Sequence, residues 1–297
     1  MKGCTQNAFH HKDVWEHSLL TMENCESSLN DISRAFTNSV DIVCHPEFSY
    51  EVPMSGDSQS KMKIPLNPPF SKGETRYPPL EKGGRGGFER SFSSDVTMNL
   101  GRDNRLPFTK LAALLHDIGK PACREVKPDT GRITFYGHDE KGTGLMDVIA
   151  ERLRMSNRDR DFLKLLIAEH LHVLSLAKHG VKPATMMKWF RKMKDDAVPS
   201  VIVAMADVKS TLGPDSSTEE REYFHRWSTE TIKDYYEVIK NRLERRDLIT
   251  GRDLIALGME PGPEMGRILE QIRSAQDTGE VNNSDEALAM ARELLSH

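Results

Sequence analysis

The chain has 297 residues, of which 37% are apolar and 29% are charged, and its formal net charge is −4 at pH 7. This length and this ordinary globular composition suffice for one large domain or two smaller ones, each with its own core. They exclude a chain that is basic throughout and binds nucleic acid by charge alone. The longest apolar run, Val201 to Ala206, also excludes a membrane span, which needs about 20 apolar residues.

The N-terminal segment and the cysteines indicate the compartment. The first residues, "MKGCTQNAFHHK", contain no apolar signal core, so we expect a cytoplasmic protein. The cysteines form no CxxC pair, which favours reduced thiols over a disulfide framework or a zinc knuckle. They are Cys4, Cys25, Cys44 and Cys123.

The periodicity of apolar residues predicts helices along most of the chain and very little strand, so the expected fold class is all-α. One run, Arg132 to His138, has a short β-like pattern that also fits the edge of a loop. Helices are predicted to begin near Asp13, Pro107, Asn157, Lys182, Ser200, Ser217 and Pro263.

A Pro-, Gly- and Lys-rich stretch, Asn67 to Phe88, interrupts these helices. It predicts a disordered insert that extends over residues 46–99. A long loop costs little closure entropy, so we expect the first helix to pack against the helix that contains "LLHDIGKP". A second boundary is predicted near Thr211 to Ser217. The predicted domains are residues 1–45 with 100–214, and residues 215–297.

The segment from Glu151 to Lys194 is locally basic, with eleven Lys or Arg against four Asp or Glu. It either contacts phosphates or forms a solvated helical surface. A charge run alone favours the solvated surface.

The stretch "LLHDIGKP" carries candidate metal ligands. His116 and Asp117 are predicted to lie in the last turn of a helix, with Gly119 as its C′ residue and Pro121 preventing continuation. The free carbonyls at a helix end carry partial negative charge, which favours a cation. The alternative is a structural pair in which His116 donates to a carbonyl and Asp117 faces water.

Other candidates occur in separate predicted helices. His17 lies near the apolar face of a helix capped by Asp13, where a core histidine is the alternative. Asp207 ends an apolar helix, so it needs either a metal or a Lys or Arg partner. His170 shares an apolar face, and His138 lies in a Gly-flanked loop that is more often exposed.

Together these residues fit metal binding. His17, His116, Asp117 and Asp207 suit one Mn, Fe, Co, Ni or Zn ion, and His138 with His170 would complete a second position. Two ions about 3.5–4 Å apart activate a water and hold a phosphate together.

The blocks "HHKDVWEHS", "LLHDIGKP", "FYGHDEKG", "AEHLH" and "MADVKS" resemble, in this order, the motif of the HD superfamily of metal-dependent phosphohydrolases. The segment Gly251 to Val281 resembles the region after the HD domain in bacterial tRNA nucleotidyltransferases. The resemblance covers about residues 6–44 and 100–295. It implies an HD-domain helical bundle followed by a smaller C-terminal helical region.

The resemblance also implies roles. His17, His116, Asp117 and Asp207 would be the primary ligands of a divalent ion (Mn, Ni, Co, Fe, Zn or Mg; one or two per chain). His138 and His170 would line the second position. Lys120 would face the substrate phosphate, so that Asp117 and Lys120 are the expected catalytic residues.

The same resemblance implies hydrolysis of phosphomonoesters or cyclic phosphodiesters on nucleotides or RNA ends. The helix start at Pro263, between Gly262 and Gly266, either offers free N–H groups to an RNA phosphate or is an ordinary cap.

Two features depart from the tRNA nucleotidyltransferase pattern. No nucleotidyltransferase head precedes the HD region, so nucleotide addition by this chain alone is not expected, and a separate head chain is a candidate partner. The insert also separates the first ligand helix from the second. The alternative function is a non-catalytic module that binds RNA, such as tRNA, or a partner protein, as a split or remnant piece of a CCA-adding tRNA nucleotidyltransferase.

Overall fold

The computed structural model describes residues 1–37, 105–178 and 181–296. In these residues the regular secondary structure is helical apart from two short strands, β1 (Glu125–Val126) and β2 (Ile133–Thr134), which pair antiparallel. The predicted all-α class is confirmed. The predicted insert, residues 46–99, lies outside the described residues.

The contacts between residues divide the chain into two compact units. Among the described residues, the first unit contains 1–37, 105–178 and 199–229, and the second contains 181–198 and 230–296. The domain limits expected from the sequence stay a prediction. None of the helices described combines the length and apolar content that crossing a bilayer requires.

The first unit is a bundle of long helices. Those wholly inside it are α1 (Val14–Thr37), α2 (Arg105–Leu115), α3 (His138–Arg152) and α4 (Asn157–Leu176). Residues 199–229 include most of α6 (Ala197–Ser210), the first part of α7 (Thr218–Asp234) and the loop between them. Helix α1 packs against α2 as expected, and α4 packs against both α2 and α3. Buried Met146, Leu166 and Ile167 fill the space between these helices.

The second unit has shorter helices around a separate core. They are α5 (Pro183–Met193), α8 (Lys240–Leu243), α9 (Gly251–Ala256), α10 (Pro263–Thr278) and α11 (Ser284–Leu295), with a π-helical turn at Tyr235–Ile239 and a 3₁₀ turn at Lys194–Asp196. Helix α10 packs against α5, α9 and α11. Leu254, Ile268 and Ile272 form the centre of this core.

Local capping explains why the predicted helix starts lie within three residues of the observed ones. The Asp13 carboxylate accepts a hydrogen bond from the backbone N–H of Glu16 at 2.8 Å. The Ser156 hydroxyl accepts one from the N–H of Asp159 at 3.1 Å. Both satisfy amides that a helix leaves without an internal partner.

The turn after α2 differs from the prediction. His116 and Asp117 lie immediately beyond the helix, which ends at Leu115. Gly119 is not a left-handed C′ residue, because its φ is −77°. It is glycine for a steric reason, since a Cβ there would lie 2.0 Å from the carbonyl oxygen of His138. Pro121 lies beyond the end of α2, as the second residue of a 3₁₀ turn, Lys120–Cys123.

The expected loop around His138 is also corrected. His138 is the first residue of α3, and the residue before it, Gly137, has a φ of +74°. This left-handed conformation, which glycine adopts without strain, turns the chain from β2 into the helix. His138 is buried rather than exposed, with 6% of its surface accessible.

Candidate metal centre

Five elements of the first unit bring the candidate ligands together. They are α1, the turn after α2, and helices α3, α4 and α6. Six residues supply the candidate ligands, and no more than a tenth of the surface of each is accessible. They are His17, His116, Asp117, His138, His170 and Asp207. Residues up to 190 positions apart in sequence therefore share one polar cluster inside an otherwise apolar bundle.

One side of the cluster contains His17, His116 and Asp207. The Nε2 atoms of His17 and His116 lie 2.9 and 3.5 Å from Asp207 Oδ1. Asp117 Oδ2 is close to the same two nitrogens, at 3.7 Å from His17 and 3.1 Å from His116. Ligands about 2.0–2.2 Å from a common ion have separations of this size.

The other side of the cluster uses the second oxygen of Asp117. Asp117 Oδ1 lies 3.3 Å from His138 Nε2 and 3.9 Å from His170 Nε2, and these two nitrogens are 3.3 Å apart. The donor atoms thus form two groups of three, His17–His116–Asp207 and Asp117–His138–His170. Asp117 faces both groups, one oxygen to each.

Three of the histidines are held in the orientation that a metal ligand needs. The Nδ1 atoms of His116, His138 and His170 each face a backbone carbonyl three residues earlier. A carbonyl oxygen only accepts, so Nδ1 carries the proton and Nε2 keeps its lone pair in the neutral ring. Such bonds fix the tautomer and the ring angle of metal-binding histidines.

Charges inside the cluster keep its two carboxylates ionised. Burial would raise the pKa of the Asp117 and Asp207 carboxyls, but the neighbouring His116 outweighs it and holds both well below the usual value. Burial likewise opposes a charge on His116, yet Asp117 and Asp207 raise its pKa to about 10. Lys120 also lowers the pKa of Asp117, so the two buried carboxylates are balanced by the imidazolium of His116 and, at Asp117, by the ammonium of Lys120.

His170 differs from His116 in its protonation. Burial, reinforced by His116, lowers the pKa of His170 to about 4, so its ring is neutral at pH 7. Neutral imidazole is the form that binds metal. In addition, His116 Nε2 and Asp117 Oδ2 are buried and make no hydrogen bond of good geometry. These donors fit a divalent ion.

Lys120 lies directly beside the cluster. Its Nζ is 2.6 Å from Asp117 Oδ2 and donates a hydrogen bond to Gln6 Oε1 at 2.7 Å. It is 93% buried and lies 5.4 Å from the centre of the Phe135 ring. The predicted contact with a substrate phosphate stays a prediction.

The cluster opens into a cavity of about 740 Å³. Asp117, His138, His170 and Asp207 lie on its wall with Lys120. A cavity of this size suits a ligand as large as a nucleotide, because small-molecule sites span about 300–1,000 Å³.

The sequence did not identify two residues beside the cluster, Gln6 and His10. The His10 ring lies edge-on to His17, with 4.5 Å between ring centres, and burial lowers its pKa to about 3. Both residues precede α1 in a segment without helical or strand periodicity. Its position is set by long-range bonds, such as that from the Gly213 N–H to the Phe9 carbonyl at 2.7 Å.

The predicted substrate contacts Gly262 and Gly266 belong to the second unit. Gly262 caps α10 in an extended conformation, and Gly266 lies in the second turn of that helix. Both are exposed, and space is open around both α-carbons. Gly266 also lines a cavity of about 580 Å³ with Arg191 and Arg273. Their role in binding stays a prediction.

Comparison with known proteins relates part of the chain to tRNA nucleotidyltransferases. Residues 167–291 match the family model of tRNA nucleotidyltransferase domain 2. This range contains His170 and Asp207, whereas the other four cluster residues precede it.

Three curated relatives support the same relationship. The CC-adding tRNA nucleotidyltransferase of Thermus thermophilus is 33% identical over 182 residues, 61% of this chain and 38% of the relative. The A-adding tRNA nucleotidyltransferase of Deinococcus radiodurans is 31% identical over 185 residues, 61% of this chain and 40% of the relative. A multifunctional CCA protein of Legionella pneumophila is 29% identical over 109 residues, 35% of this chain and 25% of the relative.

The chain therefore spans about two fifths of the length of the first two relatives that it matches. Over that part it is similar to enzymes that act on tRNA. The similarity relates this chain to tRNA processing without assigning the reaction at the buried cluster.

Proposed function

We propose that this chain is a metal-dependent phosphohydrolase that acts on phosphomonoesters or cyclic phosphodiesters of nucleotides or RNA ends. The observation that carries the proposal is the position of Asp117, which has one carboxylate oxygen near each group of nitrogen donors. A carboxylate between two donor groups could contact both ions of a two-metal site, in which the ions lie about 3.5–4 Å apart.

The chemistry follows from the donors and the cavity. A bound divalent ion lowers the pKa of a coordinated water towards neutrality and polarises phosphoryl oxygens. Asp117 would orient that water through whichever oxygen faces it. The ammonium of Lys120 lies 2.6 Å from Asp117 Oδ2. In this proposal it would stabilise the negative charge that develops on the phosphate oxygens.

The similarity to tRNA nucleotidyltransferases supports RNA ends as the substrate class. The proposal also places the chain in the cytoplasm, with tRNA as a candidate substrate. A separate chain that supplies a nucleotidyltransferase head stays a candidate partner. Nucleotide addition is not proposed for this chain.

A second function is a non-catalytic module that binds RNA or a partner. It is favoured by the matched range 167–291, which includes most of the second unit and omits four of the six cluster residues. On this view the buried cluster holds a structural ion.

The experiment that separates these functions measures bound metal and turnover on the same preparations. Elemental analysis is combined with hydrolysis of bis-p-nitrophenyl phosphate and 2′,3′-cyclic nucleotides in Mn²⁺, Ni²⁺ or Mg²⁺. Asp117→Asn removes the charge between the two donor groups, and Asp129→Asn is the matched control at an exposed position.

We expect Asp117→Asn to lose metal and to reduce turnover at least 100-fold, while Asp129→Asn behaves like the wild type. Equal turnover in Asp117→Asn contradicts the phosphohydrolase. Tight tRNA binding by a wild type that hydrolyses neither substrate supports the second function.

A further inference from the structure

Arg221 is a positioned guanidinium on the wall of the cavity that contains the metal donors. It is the fourth residue of α7 and is partly buried. Its Nη1 group donates to the Thr211 carbonyl at 3.3 Å and to the Ser216 hydroxyl. Its Nη2 group donates to Thr218 Oγ1 at 3.0 Å. These neutral acceptors fix the side chain without neutralising its charge.

Arg221 still has donors for a ligand. A guanidinium carries five N–H groups, and in the part of the chain described here its Nε–H and one Nη2–H have no partner. No carboxylate among the described residues pairs with it. A planar donor group with two free N–H groups suits a phosphate.

The charges around the cavity outside the metal cluster are mainly positive. Arg132 and Lys178 also line it, are exposed, and form no ion pair with any carboxylate that the structure describes. Among its described lining residues, Glu220 is the one carboxylate outside the cluster. Three cations against one anion favour a ligand with more negative charge than a single reacting phosphate supplies.

The remaining wall is apolar. Phe9, Leu171, Val208 and Phe224 line the same cavity as Arg221 and the donor cluster. An apolar and aromatic surface accommodates a nucleobase or the carbon face of a sugar. The cavity therefore combines a metal cluster, an apolar wall and a separate guanidinium.

We infer that Arg221 binds a second phosphate of the substrate, so that the preferred substrates carry one phosphate at the donor cluster and another beyond the nucleoside. This inference rests on the proposed phosphohydrolase function and makes its substrate class narrower. The smallest such molecule is a nucleoside 3′,5′-bisphosphate, and the terminal nucleotide of an RNA is its larger counterpart.

The hydrolytic step balances with water as the only co-reactant. The water oxygen bonds to phosphorus while the bond from phosphorus to the sugar oxygen breaks. The sugar oxygen takes a proton that water releases, which yields phosphate and a free hydroxyl. Arg221 does not take part in this step and determines only which substrates bind well.

The test uses the full chain and measures binding and turnover separately. Calorimetry in EDTA, where metal-dependent turnover is absent, compares adenosine 3′,5′-bisphosphate with adenosine 3′-monophosphate. Turnover of the same two compounds is then measured in Mn²⁺. Arg221→Gln removes the proposed contact, and Arg226→Gln is the matched control because Arg226 is exposed on the same helix and does not line this cavity.

We expect the wild type to bind the bisphosphate about tenfold more tightly than the monophosphate, because one hydrogen bond to a charged group contributes a free energy of about this size. Arg221→Gln should abolish this difference, and Arg226→Gln should keep it. Glu220→Gln removes the one opposing charge and should tighten bisphosphate binding, a gain that damage to the fold would not produce.

A failure of the inference about Arg221 can be distinguished from a failure of the proposed phosphohydrolase function. Equal affinities for the two compounds in the wild type, or an unchanged preference in Arg221→Gln, overturn the role of Arg221 whatever the turnover. A preference that depends on Arg221 in a protein without Mn²⁺-dependent turnover supports the phosphate contact and contradicts the proposed hydrolysis.

Discussion

At the scale of single residues, the chain uses glycine and buried side chains to place its polar cluster. Gly119 lets the turn that follows Asp117 approach the backbone of His138, the first residue of α3. A larger residue would separate two elements that each supply a candidate ligand.

Gly119→Ala should therefore destabilise the protein by about 1–3 kcal/mol or more, as overpacking of a close backbone contact does. Gly144→Ala is the control, because Gly144 is an exposed position of α3 with open space around it. Alanine there should stabilise by up to about 1 kcal/mol. Urea unfolding of both variants measures the difference, and equal stabilities would argue against the close contact.

Cys25 provides a second residue-scale prediction. It is completely buried in α1, and burial raises the pKa of its thiol to about 12. Because the thiolate is the reactive form, Cys25 should resist iodoacetamide at pH 8 until the protein unfolds. Cys4 and Cys123 are partly exposed and serve as internal controls. Peptide mass spectrometry that found Cys25 alkylated as fast as Cys4 would contradict this burial.

At the scale of elements, the sequence predicted helix starts well because their signals are local. Asp13 and Ser156 cap the first turns of α1 and α4, and Pro263 occupies the first turn of α10. Gly119 and His138 were misinterpreted because their environment is not local. In sequence, a glycine required by contact with a distant carbonyl cannot be told from a C′ glycine. Gly137, directly before His138, is typical of a loop, so the start of α3 was not predicted.

The cap of α1 gives the element-scale prediction. Asp13→Ala should lower stability by about 1 kcal/mol, whereas Asp13→Asn should keep most of it because asparagine also caps. Burial opposes ionisation of Asp13, but hydrogen bonds from the backbone N–H groups of Glu16 and Gly3 outweigh it and lower the pKa of the carboxyl. The ionised carboxylate of Asp13 therefore stabilises the folded protein at pH values above its pKa in the unfolded chain. This stabilisation is lost as the pH falls through its lower pKa in the folded protein.

Urea unfolding at pH 7 and at pH 3 checks both parts of this prediction. The stability difference between the wild type and Asp13→Ala should be larger at pH 7. A difference that grows at pH 3 would show that the cap does not act through the ionised carboxylate.

At the scale of the whole molecule, the order of His and Asp blocks in the sequence indicated which residues would share a site. The structure brings all six together, although their assignment as metal ligands stays a prediction. Gln6, His10 and Arg221 were not predicted as site residues. Gln6 and His10 were missed because they lie in a segment without helical or strand periodicity. Arg221 was missed because its position on the cavity wall depends on hydrogen bonds to the preceding loop.

A stability measurement addresses the cluster in the context of the whole chain. A ligand that binds only the folded state at 100 times its Kd adds about 2.7 kcal/mol of stability. Adding Mn²⁺ to metal-free protein should therefore raise its Tm, and Asp117→Asn should remove most of the increase. Asp129→Asn should retain it, and an equal increase in Asp117→Asn would point to binding elsewhere.

The most direct measurement is anomalous diffraction from crystals soaked in Mn²⁺. We expect density within about 2.0–2.3 Å of Nε2 of His17 and His116, and a second position about 3.5–4 Å away, beside His138 and His170, with Asp117 between them. Manganese bound only at surface carboxylates, with none beside Asp117, would contradict the metal centre on which the proposed function depends.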